Sequence, residues 1–344
     1  MARIAVVFTG GTISMRHDPV AGGNVPTLSG AEILARTPGV EAIADVVAID
    51  RGLTPASHFT FPQLFDLWDA VLGALEAAGS EAVDGAVVVQ GTDTIEETAF
   101  FLDLLHDGDK PIVVTGSMRA ASDPDYEGPA NLRDAIRVAA APAMAGAGVV
   151  VTLAGTIEPA DDVTKTHTGA LDAFRSLNAG RLGRVGTDRV VVERPRGPRR
   201  HVVASSAAER VHLVTAAVAM DGTPIDALLA AGADGFVVEA TGAGNTSAGL
   251  LAAGERAMAA GLPVVLTTRC PAGAASGAYA FPGGGATWLR AGALPAGHLG
   301  GPKARVALAL GIGADLNRDG LAQLLADPQS LPPSHAASRL AGPR

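Results

Sequence analysis

The sequence predicts an α/β protein of two domains: a larger N-terminal open, parallel-rich sheet with helices on both faces, and a smaller C-terminal α/β domain. Three observations carry this expectation. At about 100–200 residues per domain, a chain of 344 residues has room for two. Short, continuous, valine-rich runs recur along it. Helix-period segments alternate with those runs, and continuous apolar strands bounded by helices belong to parallel sheets covered on both faces.

In order, the strand-like runs of the first half are 3–8 (RIAVVF), 45–49 (DVVAI), 85–90 (GAVVVQ), 111–116 (PIVVTG) and 147–155 (AGVVVTLAG). Helical patterns fall at 61–78, 95–105 and 130–141. Residues 190–210 interrupt the rhythm with Pro, Arg and Ser. The expected division is therefore an N-terminal domain over 1–190, a linker over 191–210 and a second domain over 211–332. The second alternation comprises strands at 211–216, 235–240 and 263–268, with helices near 223–231, 246–260 and 318–326. No repeat relates the two halves. The end, 333–344, reads as a disordered tail.

Composition excludes several classes. The net charge of −9 offers no basic face for nucleic acid. The longest basic cluster, 194–200 (RPRGPRR), reads as a solvated linker. The single cysteine, Cys270, forbids an internal disulfide and, following the run PVVLTT, is expected as a buried structural thiol. No apolar run reaches the ~18 residues of a membrane span. The start, MARIAVVFTGG, enters a strand directly and has no signal-peptide pattern, so cytoplasmic residence is expected. The eight histidines form no H-E-x-x-H and no ligand cluster, so neither a metal nor a cofactor is expected.

In open parallel sheets, ligands bind beyond the carboxyl ends of the strands. Polar residues that follow the strands are therefore the candidates. After the first strand comes TGGTIS, with Thr12 behind Gly10-Gly11, a pair that permits a tight turn and close backbone approach to a ligand. It lacks the G-x-G-x-x-G of a dinucleotide loop. After the third comes Gly91-Thr92-Asp93-Thr94. Capping-box spacing, Thr94 with Glu97 or Asp93 with Glu96, accounts for one polar residue and leaves others for chemistry. Later, DDVTKTHT places Lys165 between Thr164 and Thr166. A lysine is ordinarily a solvated surface residue, yet an unprotonated one beside a hydroxyl can act as general base.

These segments, with TGSMR, EGPANLRDA, DAFRS and GAGNTS in the same order and spacing, resemble the bacterial L-asparaginase/glutaminase family over about 3–327. The resemblance implies hydrolysis of the side-chain amide of a small amino acid, asparagine or glutamine, without a cofactor. It implies a threonine nucleophile at Thr12 and a second set of Thr92, Asp93 and Lys165, and leaves open which threonine forms the acyl intermediate. Asp93 would also hold the substrate ammonium. Ser57 and the adjacent His58 match substrate-binding positions. Ser117 and Met118 border the pocket, and Asn131 reads as a structural contact. Asn245 and Ser247, in the loop 240–249, match contacts to the substrate amino group made from a neighbouring subunit. A homodimer or homotetramer follows from the resemblance alone.

The chain also departs from the family. Members commonly carry a tyrosine in the mobile segment after the first threonine. Here 14–30 holds none, offering Ser14, His17, Thr27 and Ser29 instead, with Gly22-Gly23 as a candidate hinge. Only Tyr126 and Tyr279 exist in the chain, and Tyr279 is expected to supply a phenol from the second domain. Alternatives are a glutaminase or a hydrolase of a related amide and, in another class, a catalytically silent amino-acid sensor. The sensor is disfavoured because Thr12, Thr92 and Lys165 are all present. A dinucleotide-binding protein is disfavoured by the missing phosphate loop. An amidotransferase subunit acting on tRNA-linked substrates would be expected to carry an additional N-terminal domain.

Overall fold

Valine-rich strands buried on both sides make the centre of the first unit. In the computed structural model, which describes residues 1–328 and the pair 340–341, the chain divides into Met1–Arg196 and Gly197–Arg344. The first unit runs β1 (Ala2–Phe8), β2 (Met15–Asp18), β3 (Gly23–Pro26), α1 (Gly30–Ala35), β4 (Ala44–Asp50), α2 (Phe61–Glu76), β5 (Gly85–Val89), α3 (Ile95–Leu105), β6 (Ile112–Thr115) and α4 (Gly128–Ala139). It continues with β7 (Val149–Leu153), β8 (Thr156–Pro159), β9 (Val163–Lys165), β10 (Phe174–Ser176), β11 (Gly183–Val185) and β12 (Val190–Val192).

Eight strands form one sheet in the order β12-β11-β8-β7-β6-β5-β1-β4. Pairing is parallel from β4 to β7 and antiparallel from β7 outward. One face carries Ile4, Val6, Phe8, Val87, Val89, Val113 and Val150 against Ile33 of α1 and Leu132, Ala135 and Ile136 of α4. The alternate residues Ala5, Val7, Ala86, Val88, Ile112 and Val114 are equally buried and face α2 and α3. Each of the valines and isoleucines among them contributes about 1.5–3 kcal/mol on burial.

Several details differ from the sequence expectation. The run 147–155 is not one strand. It turns back at Ala154 and Gly155, both with positive φ (48° and 72°), as a two-residue hairpin requires. The Ala154 N–H is held there by the Asn131 side-chain oxygen at 3.1 Å. Helix α4 begins two residues earlier than its periodicity suggests, because Pro129 suits the first turn, where a missing N–H costs nothing. The basic cluster is not solvated. Arg196 is buried and pairs with Asp103 at 2.8 Å and Asp161 at 2.9 Å, and Arg200, in the second unit, is buried against Asp327 at 3.0 Å.

The second unit holds β13 (Val202–Val203), β14 (Val211–Thr215), α5 (Thr223–Ala230), β15 (Gly235–Ala240), α6 (Ala248–Ala259), β16 (Val264–Thr268), α7 (Gly285–Ala291), β17 (Leu294–Pro295), α8 (Gly301–Gly313), α9 (Arg318–Leu325) and β18 (Leu340–Ala341). Strands β14-β15-β16-β17 form a parallel sheet. Phe236, Val238, Val264 and Leu266 pack on one face against Ile225, Leu250, Ala253 and Trp288, while α8 covers the strands from the other side. Cys270 is exposed rather than buried, because β16 ends at Thr268 and the thiol lies in the loop beyond. The expected tail 333–344 falls outside the described residues except for Leu340 and Ala341, which pair with Val202 and Val203. Among the described residues no helix is long and apolar enough to cross a membrane.

Candidate active site

The winding of the first sheet reverses at β1. The chain leaves β1 for β4 by way of α1, and leaves β5 for β6 by way of α3, which lies on the opposite face. A crevice opens at the carboxyl ends of strands where the connections diverge in this way. Thr12 follows β1 and Thr92 follows β5.

The two turns touch through glycine. Gly11 has φ 91°, and a Cβ built on it would stand 2.1 Å from the Gly91 nitrogen, so only glycine permits this approach. Thr9 donates from its amide to Val89 O at 3.0 Å and fixes the register just before the turns. Thr12 opens a three-residue 3-10 turn, Thr12–Ser14, in which the Ser14 hydroxyl donates to Gly11 O at 2.7 Å. None of the hydrogen bonds within the described residues involves the Thr12 hydroxyl. A third turn, Ala56–His58 after β4, packs on the second, and leaves Ser57 and His58 exposed at the same edge.

The expected capping box does not form. Thr92–Thr94 make a 3-10 turn, and no side chain caps α3. The Thr94 hydroxyl instead donates to Ala56 O at 3.1 Å and accepts from Gln90 Nε2 at 3.3 Å, tying the second turn to the third. Thr92 and Asp93 are therefore free of helix-capping duty. Lys165 ends β9, a short ribbon strand paired with β10, and Thr166 N bonds Ala173 O at 2.7 Å beside it. Its Nζ lies 2.9 Å from Thr92 Oγ1 and 2.7 Å from Asp93 Oδ1. The Thr92 residue is 5% exposed, the Lys165 side chain 16% and the Asp93 side chain 71%. An ion pair so open on one side contributes at most about 1 kcal/mol to stability. What the arrangement supplies is a buried hydroxyl, an amine and a wet carboxylate within hydrogen-bonding reach, the elements of a proton relay.

Glu127 was not singled out by sequence. Its carboxylate accepts from the Ser117 hydroxyl at 3.2 Å and from the amides of Met118 and Arg119, and so shapes the TGSMR loop. The signal was available, since an acid immediately precedes the Gly-Pro that opens α4. Asn131 also has a structural role, donating to Gly116 O at 3.0 Å. The hydroxyls of the segment 14–30 are used locally: Ser29 and Glu32 form a capping box on α1, and Thr27 bonds Ser14 O. Gly22 and Gly23 are not at the base of that segment, where a hinge would act. They close the tip of the β2–β3 hairpin.

The other three candidates are in the second unit. Ser247 caps α6, accepting from Leu250 N at 3.1 Å while donating to Met220 O at 2.6 Å. Asn245 has a buried side-chain oxygen with no hydrogen-bond partner among the described residues. Tyr279 is 47% exposed and leans on Phe281, ring centroids 6.0 Å apart.

Comparison with known proteins covers most of the chain. A family model described as Asparaginase, N-terminal matches residues 3–197, and one described as Glutaminase/Asparaginase C-terminal domain matches 210–325. The chain belongs to the asparaginase family. It is an amidohydrolase of that type. It is 38% identical to a probable L-asparaginase of Deinococcus radiodurans over 318 residues, covering 90% of this chain and 92% of the relative. It is 31% identical to an L-asparaginase of Bacillus licheniformis, covering 90% and 94%. A probable periplasmic L-asparaginase of Haemophilus influenzae is 32% identical, covering 79% of each chain.

Proposed function

We propose that this asparaginase-family chain hydrolyses L-asparagine to L-aspartate and ammonia, with Thr12 as nucleophile and Thr92, Asp93 and Lys165 as its proton-handling set. The reading rests on one observation: Lys165 Nζ bridges the Thr92 hydroxyl at 2.9 Å and the Asp93 carboxylate at 2.7 Å, on the edge where the Thr12 turn also ends. In the first step Thr12 Oγ1 adds to the amide carbon, and its proton passes to the leaving nitrogen. Ammonia departs and an acyl ester remains on Thr12. In the second step a water adds to that ester. Its proton moves along Thr92, Lys165 and Asp93 to the Thr12 oxygen as the ester breaks. Backbone N–H groups of the two threonine turns would stabilise the oxyanion, worth about 3 kcal/mol per donor. Ser57 and His58 would meet the substrate carboxylate, and the outer oxygen of Asp93 its ammonium.

Asn245, Ser247 and Tyr279 are assigned to substrate contacts made by a neighbouring copy, in a dimer or tetramer. The family resemblance and the exposure of Tyr279 support this, and size-exclusion chromatography with light scattering tests it. Cytoplasmic residence belongs to the same proposal.

Ammonia release from L-asparagine, L-glutamine and both D-forms, in wild type and in Thr12→Val and Thr92→Val, is the deciding experiment. L-asparagine should turn over fastest, and each variant should lose about 10²–10⁴-fold. Equal rates in wild type and Thr92→Val would remove the proposed set. A preference for L-glutamine would transfer the same chemistry to the longer amide.

A further inference from the structure

We propose that Tyr126 is a positioning residue for the Thr12 hydroxyl, acting through the backbone carbonyl of Ile13. The inference rests on the reading of Thr12 as nucleophile. The Tyr126 phenol donates to Ile13 O at 2.7 Å, joining segments 113 positions apart. Ile13 directly follows Thr12 in its 3-10 turn, and its side chain is fully buried. That turn is entered through Gly10 and Gly11, at φ 102° and 91°. Two successive glycines leave the backbone its greatest freedom, so the direction of the next side chain depends on what fixes the turn from outside. Among the described residues, no hydrogen bond of its own fixes the Thr12 hydroxyl.

Thr27 and Leu28 hold the far end of the turn, their amides donating to Ser14 O at 2.9 Å, and the loop 117–127 supports the end nearer Thr12. Besides the phenol bond, Ala121 N donates to Met15 O at 2.8 Å, and the Ser122 hydroxyl accepts from His17 N at 3.0 Å. The loop thus holds residues 13–17 at three points, and of these the phenol bond is the one beside Thr12. The loop is itself rigid. Glu127 gathers Ser117, Met118 and Arg119, Asp123 accepts from Ala120 N at 2.9 Å, and Arg119 pairs with Asp125 at 3.0 Å. The Tyr126 ring lies directly over Gly128, where a Cβ would meet ring and hydroxyl atoms at 2.4–2.5 Å. Burial also keeps the phenol protonated, its pKa pushed up to about 12, so it remains a donor throughout the neutral range.

Tyr126→Phe keeps the ring and removes the bond, whereas Gly128→Ala displaces the ring and keeps the phenol. Both should slow first-turnover ammonia release about tenfold, between the loss of one neutral hydrogen bond and a full 1 Å misplacement. The KM for asparagine should stay within about twofold, because substrate contacts are untouched. The unfolding midpoint of Tyr126→Phe should move by no more than about 3 °C. Wild-type first-turnover rates in Tyr126→Phe, with Thr12→Val inactive, would overturn the positioning role and leave the nucleophile intact. Retained activity in Thr12→Val would overturn both. A rate loss in Tyr126→Phe accompanied by a raised KM and a larger fall in midpoint would mark general loosening of the loop and also overturn it.

Discussion

Replacing Gly11 by alanine tests whether the closeness of the two threonine turns matters to the chemistry. The added Cβ would stand 2.1 Å from Gly91 N, 2.3 Å from Gly91 Cα and 2.6 Å from the Gln90 carbonyl carbon. All three are backbone atoms and cannot rotate away. Real Cβ contacts essentially never fall under 3.0 Å, so the turns must part by about 0.9 Å, the difference between 2.1 and 3.0 Å. Holding a side chain at φ 91° adds strain of about 1–3 kcal/mol. With overpacking of about 1–3 kcal/mol, the total loss of stability is about 2–6 kcal/mol. A displacement near 1 Å between reacting groups costs about 10²-fold in rate. Ammonia release at saturating asparagine measures the rate, and urea unfolding the stability. Gly22→Ala is the control: φ is 71°, but nothing lies within 4 Å of the new methyl. It should lose about 1–2 kcal/mol and keep its kcat. A Gly11→Ala enzyme with kcat within twofold of wild type would refute the argument that the two turns must be in contact.

Three further outcomes follow from the described contacts. Asp103→Asn weakens one partner of the buried Arg196 but leaves its pairing with Asp161 in place, so it should cost about 1–3 kcal/mol in urea unfolding, less than the about 3–5 kcal/mol of stranding a buried charge outright. The Tyr126 phenol has its folded pKa raised to about 12 from 10, so its contribution to stability is complete below pH 10 and disappears as pH rises through 12. Thermal midpoints of wild type should therefore fall more steeply than those of Tyr126→Phe across that window. Gly254→Ala would put a methyl 2.2 Å from the buried Trp288 ring and should cost about 1–3 kcal/mol, with a shift in tryptophan emission as the indole moves.

The parallel strands were legible because their composition is uniform: a run such as GAVVV admits few readings other than a strand buried on both faces. Helix α8 was not. Ala304 and Val306 through Leu310 are all buried, so no polar stripe marks a helical period. The antiparallel strands β8, β11 and β12 are three or four residues long and too short to show alternation. Hairpin β2–β3 has mostly polar or conformationally special residues, MRHD and GNVP, and was readable only as a loop. At the candidate site, Thr12, Thr92 and Lys165 were found because strand ends and a family pattern drew attention to them. No local rule gives the 2.9 Å between residues 73 positions apart. Thr94 shows the opposite failure. Its spacing to Glu97 satisfied a local rule, but a tertiary acceptor, Ala56 O, took its hydroxyl.

The reversal of winding at β1 has a consequence for how this protein is lost to heat. Both threonine turns grow directly from β1 and β5, whose inner residues have no exposed surface, and their roots are sealed by the Thr9 amide on Val89 and the Gln90 amide on Thr115. Regions that open locally are those with few buried contacts, and these strands are the reverse. Deuterium should therefore enter the Thr9 and Gln90 amides only when the whole sheet comes apart, and warming should leave molecules either fully competent or entirely inert.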